Sequence, residues 1–375
     1  MKRIFLDYNS TTPVNKEVLD TMLPYFSEKY GNPSSTHDFG QKVIHAIDNA
    51  RLQVANFIGS KADEVIFTGS GTESNNLALI GLAYKNRDKK NHIITSMIEH
   101  SSIFNTCKFL ESNGFNVTYL PVTNKGLISP EDLKSAITDK TVLISIMLAN
   151  NETGVIQDIE EISKIAEKNR IYMHTDAIQA AGKIRLDVNL LGVDLLSISG
   201  HKIYGPKGLG ALYIRRGISI TPIIHGGGQE KKIRSGTENV PSIVGLGKAC
   251  EIADKDLEKN IYHLTKLRDA LESEILNNIP KAKINGFSKH RVTNTTNISF
   301  PGEENESLLV RLDLNGIAVS TGSACGATSS EASRPLKAMG LSTKELYSSL
   351  RFSVGLGTTM EDIEHTVDVL KELVK

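Results

Sequence analysis

Short apolar runs closed by polar turns recur along this chain, and helical stretches separate them. Val65-Ile66-Phe67 reads as a buried strand, and Leu77-Ala78-Leu79-Ile80-Gly81-Leu82 after it is apolar and helical. His92-Ile93-Ile94-Thr95 is a further strand, and the apolar stretch from Val142 to Ala149 suits another. That stretch is too short to span a bilayer. Glu160 to Asn169 is a helical segment ending in polar residues, ahead of the β-prone run Ile171-Tyr172-Met173-His174-Thr175. Val193, Leu195, Leu196 and Ile198 mark one more buried strand. Strands alternating with helical segments predict an α/β fold with a mainly parallel sheet, whose ligands gather at the carboxyl ends of the strands. The alternation covers residues 15–258 and predicts a large domain. A long amphipathic stretch from Pro241 to Asn277 then leads into a smaller α+β domain, residues 259–375, ending in a helix from Asp362 to Val374. The arm 1–14 is expected to pack on that second domain.

The polar residues at the strand ends carry the chemistry. Ser199-Gly200-His201-Lys202 follows an apolar run, so Lys202 sits where burial and neighbouring positive charge favour a free amine. A free amine forms a Schiff base with a carbonyl. Asp176 closes the β-prone run, and Gln179 is expected beside the same ligand. Thr68-Gly69-Ser70-Gly71-Thr72 joins a strand to a helix, where free N–H groups and the helix dipole favour an anion. Neither a G-x-x-x-x-G-K-S/T nor a G-x-G-x-x-G pattern is present there, which disfavours nucleotide sites. Ser199 and His201 offer further donors to the same anion. His100, in Ile98-Glu99-His100-Ser101-Ser102, can stack on a ring and exchange protons near neutrality. Read singly, each has an ordinary alternative: a solvated lysine, a capping aspartate, a glycine-rich turn, a structural histidine. Their order decides. Anion loop, histidine, aspartate and lysine come in sequence, with Asp176 26 residues before Lys202 (202 − 176). Together they supply what pyridoxal 5′-phosphate requires of a protein: an amine, a carboxylate for the ring nitrogen, a phosphate cradle and a flat neighbour.

Composition changes this picture little. Lys+Arg and Asp+Glu both number 43 in 375 residues, so the formal charge is zero and no nucleic-acid partner is implied. The apolar run after Met1-Lys2-Arg3 stops at Asp7, too short for a signal peptide, and a cytoplasmic enzyme is expected. No membrane association and no metal are expected. Three cysteines are too few for a disulfide framework. Cys107 and Cys250 lie in helical patterns, with Ile103 and Leu110 and with Ile243 and Leu246, and read as core. Cys325 differs, because nothing from Ser320 to Ser330 is bulkier than threonine; the run reads as an exposed, mobile loop where a thiol can accept and pass on a group.

Several blocks together resemble a known family. They are Leu6-Asp7-Tyr8-Asn9-Ser10-Thr11-Thr12-Pro13, Tyr30-Gly31-Asn32-Pro33-Ser34-Ser35-Thr36-His37, Gly71-Thr72-Glu73-Ser74-Asn75-Asn76, and Asn150-Asn151-Glu152-Thr153-Gly154. Asp176-Ala177-Ile178-Gln179, the lysine block, Arg234-Ser235-Gly236-Thr237-Glu238-Asn239, Ser320-Thr321-Gly322-Ser323-Ala324-Cys325 and Leu350-Arg351-Phe352-Ser353 follow in order. The chain resembles NifS/IscS-type cysteine desulfurases of the class V aminotransferase group nearly end to end. The resemblance implies PLP-dependent fold type I, with a seven-stranded sheet in the large domain.

It also implies roles. Lys202, His100 and Cys325 would be catalytic. Gly71, Thr72, His100, Asn151, Asp176, Gln179, Ser199, His201 and Lys202 would bind the cofactor. Thr237 would reach the cofactor phosphate of the other subunit in a homodimer. Asn32 and Arg351 would bind L-cysteine, Arg351 through its carboxylate. Sulfur would leave as a persulfide on Cys325 for a protein acceptor such as an iron–sulfur scaffold. Gly326 and Glu331-Ala332-Ser333-Arg334-Pro335 depart from the family's usual pattern and put the choice of acceptor in doubt. A selenocysteine lyase or cysteine sulfinate desulfinase, an aminotransferase and a non-catalytic cofactor-binding scaffold remain as alternatives.

Overall fold

A computed structural model of the chain describes residues 3–286, 290–322 and 332–374. Its strands, in chain order, are β1 (Ile4–Phe5), β2 (Val65–Thr68), β3 (His92–Ser96), β4 (Asn116–Leu120), β5 (Thr141–Ser145) and β6 (Tyr172–Asp176). There follow β7 (Leu195–Ser199), β8 (Gly210–Ile214), β9 (Lys283–Ile284), β10 (Thr295–Ser299), β11 (Ile317–Ala318) and β12 (Ser349–Ser353). Seven of them form one sheet in the order β2-β8-β7-β6-β5-β3-β4. β3 pairs parallel with β4 and β5, and β5, β6 and β7 continue in parallel. Only β8 runs against its neighbours β7 and β2.

This sheet is apolar on both faces, which is why its strands read as nearly continuous hydrophobic runs. Adjacent residues feed opposite cores. Phe67, Ile94, Ile144 and Leu196 pack on one side with residues of helices Asp38–Ile58, Ile159–Lys168 and Val240–Lys255. Ile66, Ile93, Leu143 and Leu195 pack on the other with helices Gly71–Asn86 and Ser101–Ser112. A further core gathers Ile4 and Leu6 with Leu264, Leu271, Ile298, Phe300, Leu350, Phe352 and Ile363. It is built on β9, β10 and β12, antiparallel in the order β12-β10-β9, while β1 pairs parallel with β11.

The stretch from Pro241 to Asn277 is not one helix. It divides at Asp256 into helices Val240–Lys255 and Leu257–Asn278. Similarly, of the strand expected from Val142 to Ala149, β5 reaches only Ser145; Ile146 N and Leu148 N still donate to the His174 and Asp176 carbonyls of β6, and the chain stays buried to Ala149. No helix among the described residues is long and apolar enough to cross a membrane.

Chain order explains where a ligand goes. β3 is followed by edge strand β4, whereas β5, β6 and β7 build away from β3 on its other side. Open parallel sheets bind ligands at such a reversal, beyond the carboxyl ends of the strands.

Candidate active site

A cavity of about 550 Å³ lies there, lined by residues that follow β2, β3, β5, β6 and β7. Beyond β2, Ser70 caps the helix Gly71–Asn86, its hydroxyl accepting from Glu73 N at 3.1 Å. Ser70, Gly71 and Thr72 line the cavity with the helix N-terminus behind them. The turn is fixed from outside. The Glu73 carboxylate accepts from Gly69 N at 2.8 Å and pairs with Arg234, whose Nε is 2.8 Å away. Two glycines fit closely here, and at Gly210 the neighbour is backbone. A Cβ on Gly71 would clash with Ile178 Cδ1 and lie 3.2 Å from Ser199 Cβ, and one on Gly210 would lie 2.6 Å from the Ser70 carbonyl carbon.

Asp176 ends β6 with its side chain buried. Its carboxylate accepts from Asn75 Nδ2 at 2.8 Å and from Ile178 N at 3.0 Å. Burial pushes this carboxyl upward, opposed mainly by His100. Asn75 Nδ2 also donates to Ser102 Oγ at 2.9 Å, and that hydroxyl lies 2.8 Å from His100 Nδ1. Ser102 N donates to the same ring nitrogen at 3.1 Å. Nδ1 is therefore an acceptor, so the neutral ring carries its proton on Nε2. Burial also drives the imidazole's pKa down, which favours that neutral form.

Lys202 ends the short turn Gly200–Lys202 after β7. Its Nζ donates to the carbonyls of Asn9 at 2.5 Å and Ser10 at 2.8 Å. Gln179 Nε2 donates to the same Asn9 carbonyl at 3.0 Å. Ser199 and His201 line the cavity beside it; burial and then the charge of Lys202 push His201 down to about 4. Arg351, on β12, is 2% exposed, which leaves its guanidinium to be satisfied from inside. Nη2 pairs with Asp7 Oδ1 at 2.6 Å, and Nη1 donates to the carbonyls of Asn151 at 3.1 Å and Gly322 at 3.3 Å. Asp7 thus already neutralises the arginine expected for a substrate carboxylate.

The cavity brings together Gly71, Thr72, His100, Asn151, Asp176, Gln179, Ser199, His201, Lys202 and Arg351. Asn32 and Thr237 are not on its wall. Both are exposed, and the Asn32 carboxamide caps Ser34 N at 2.9 Å. Cys325 and most of the loop from Ser320 to Ser330 lie outside the described residues, but Gly322 and Ala332, on either side of that segment, both line the cavity.

The class V aminotransferase family model matches residues 4–366. The chain belongs to the class V aminotransferase family. Within it, the chain is 51% identical over 374 residues to "Cysteine desulfurase IscS" of Methanosarcina thermophila, covering 100% of this chain and 92% of that one. Among solved structures it is similar to a "NifS-like protein", with TM-score 0.94, 38% identity and 99% of each chain covered. "SspA in complex with cysteine" gives TM-score 0.84 at 40% identity, over 94% of this chain and 99% of that one. A class V aminotransferase of this kind is a pyridoxal-phosphate-dependent enzyme of fold type I, and so is this chain.

The residues fit that cofactor. A buried carboxylate held by neutral donors is suited to a protonated ring nitrogen, and a capped helix N-terminus to a phosphate. A neutral imidazole and a lysine amine share the same cavity, whose volume is in the range of small-ligand sites. For this class V aminotransferase, sequence reading missed the residues that hold these groups in place: Asn9, Asn75, Ser102, Glu99, Glu152 and Lys183. Glu99 is buried, with Oε1 accepting from Ser96 Oγ at 2.5 Å and Met147 N at 3.0 Å. Glu152 accepts from Ser333 Oγ at 2.5 Å. Position on a helix could have flagged Asn75, which lies one turn after Gly71 and so on the same face. Nothing local flagged the others.

Proposed function

We propose that the chain is a cysteine desulfurase. It converts L-cysteine and the Cys325 thiol into L-alanine and a Cys325 persulfide. One observation carries this reading: Lys202, Asp176, His100 and the Ser70–Thr72 turn share a cavity whose wall includes Gly322 and Ala332, the described residues flanking the segment with Cys325. The relative called cysteine desulfurase and the neighbour solved with cysteine support it. An aminotransferase would have no use for that cysteine.

Pyridoxal phosphate, when bound, supplies a carbonyl carbon for an amine and a ring that withdraws electrons from the substrate's α-carbon. Lys202 Nζ would hold it and would move the proton at that α-carbon. Asp176 would keep the ring nitrogen protonated. Gly71, Thr72, Ser199 and His201 would bind the phosphate, and Gln179 and Asn151 would serve the ring. His100 would face the ring and exchange protons through Nε2. Arg351 would orient the substrate carboxylate while Asp7 fixes the guanidinium. Thr237, exposed in the single chain, completes the phosphate site of a second copy in a homodimer. The site lies between a large domain, 15–258, and a smaller one, 259–375 with the arm 1–14. Sulfur then passes to a protein acceptor such as an iron–sulfur scaffold, in the cytoplasm.

Cys325→Ser separates cofactor binding from sulfur transfer. The variant should load the cofactor on Lys202 and bind L-cysteine, yet produce almost no alanine, sulfide or protein-bound persulfide, because a hydroxyl is too weak a nucleophile. Normal alanine output from Cys325→Ser with reductant present would sink the persulfide reading.

A further inference from the structure

Lys183 is a buried amine that the proposed mechanism does not use. Only 6% of the residue is exposed, and its Nζ donates to Gln179 Oε1 at 2.8 Å and to the Gln179 carbonyl at 3.0 Å. No ion pair is recorded for it among the described residues. It borders a small cavity that shares Lys202 with the active-site cavity and is also lined by Tyr8, Tyr204 and Asn294, with no carboxylate on its wall. The charges that act on it are cationic, Lys202 and Arg351, and His201 is a further titratable neighbour. An ammonium in such surroundings is unfavourable, and burial with these charges brings the amine down to about 7. A lysine is an expensive way to fill a core, so its hydrogen bonds need an explanation.

The contact holds one end of the Gln179 amide, and the Asn9 carbonyl holds the other. A side-chain amide can present either its oxygen or its nitrogen in a given direction. An amine donor 2.8 Å from one end requires that end to be Oε1. Nε2 is then turned the other way, onto the Asn9 carbonyl, where the Lys202 amine also donates. We propose that Lys183 is a positioning residue of this active site: it sets the orientation of the Gln179 amide, and through it the hydrogen-bonding environment of Lys202 and of the cofactor held there. The inference rests on the reading of Lys202 as the cofactor-binding lysine. Without Lys183 the amide is held only through Nε2 and can swing off the Asn9 carbonyl, which Lys202 then no longer shares with it. An unshared acceptor favours the protonated form of a nearby nitrogen, so the Lys202 nitrogen keeps its proton to higher pH.

The test uses the cofactor-loaded wild type, Lys183→Met, Gln179→Met and the double variant. The readouts are the pH midpoint of the cofactor's visible absorbance, its affinity for apoprotein, and a borohydride-trapped peptide map. Lys183→Met should raise the midpoint by about one pH unit and weaken cofactor binding roughly tenfold. In the Gln179→Met background the same change should move the midpoint far less, because the two residues act as a unit. Lys183→Gln, which keeps a neutral donor, should recover most of the wild-type midpoint. A midpoint unmoved in Lys183→Met, or moved equally in both backgrounds, overturns the proposal alone. A wild-type map with the cofactor on a lysine other than Lys202 overturns the functional reading and this inference with it.

Discussion

Changing Glu99 to Gln removes a titration while keeping the shape of the side chain. Glu99 is buried with its Oε1 held by Ser96 and Met147, and its Oε2 has no hydrogen-bond partner among the described residues. Burial raises its carboxyl from 4.5 to about 8. Between those values the folded protein binds the proton and the unfolded chain does not. The stability tied to that proton is complete below about 4.5 and is lost as pH rises through about 8. From about pH 5.5 to about pH 7.5 the wild type should lose about 2–3 kcal/mol through this one group. Glu99→Gln has no proton to lose, so its stability relative to wild type should grow by that amount across the window. Equilibrium urea unfolding of both apoproteins, at several pH values in that window and one ionic strength, reads the difference. Other titrating groups largely cancel in it. A difference that stays flat would mean that Glu99 ionises near its ordinary value, and the account of a proton-bearing carboxyl beside His100 would be wrong.

Asp7→Ala should cost about 3–5 kcal/mol in urea unfolding, because it strands the buried Arg351 guanidinium without its 2.6 Å partner; a loss below about 1 kcal/mol would refute the pairing as a structural one. Glu230, Lys231 and Lys232 have φ values of 41°, 58° and 64°, a run of left-handed backbone without glycine. Lys232→Gly should therefore raise stability by about 1 kcal/mol in the same assay, and a decrease would show that the lysine side chain matters more than the strain. Cys107 and Cys250 are buried and burial pushes both thiols up, Cys107 to about 12. Neither should be alkylated by iodoacetamide in the native protein at mildly alkaline pH, and both should be once it is unfolded; native labelling of either, located by peptide mapping, would contradict that burial.

Much of the site was legible because sheet strands write themselves into sequence as apolar runs, and several of these runs end at the cavity wall. Ser70, His100, Asp176 and Lys202 could be found that way. The residues that tune them could not. Asn75 reaches Asp176 across 101 positions, and Arg351 reaches Asp7 across 344. Such pairs are fixed by the fold as a whole and leave no local periodicity. The break at Asp256 was hidden for a related reason: the segments on both sides are amphipathic, so the pattern runs through a change of direction. Arg351 shows a different limit. Its residue type suggested an open carboxylate receptor, whereas the arm residue Asp7 occupies one of its nitrogens.

Gly210 ties together two segments that chemistry treats as separate. It opens β8, beyond the lysine turn, and a Cβ there would lie 2.6 Å from the Ser70 carbonyl carbon, at the cap of the helix Gly71–Asn86. The Ser70 turn and the first residue of β8 therefore meet with no room for a side chain between them. A side chain at position 210 would push the Ser70 turn away from β8 and change its spacing from Lys202. Grafting a different loop after β2, or shortening the return from Lys202 to β8, would have to be done as one edit rather than two. For anyone rebuilding this enzyme for another substrate, that contact acts as a fixed ruler between the two segments, and the freedom to redesign lies on the far side of the cavity.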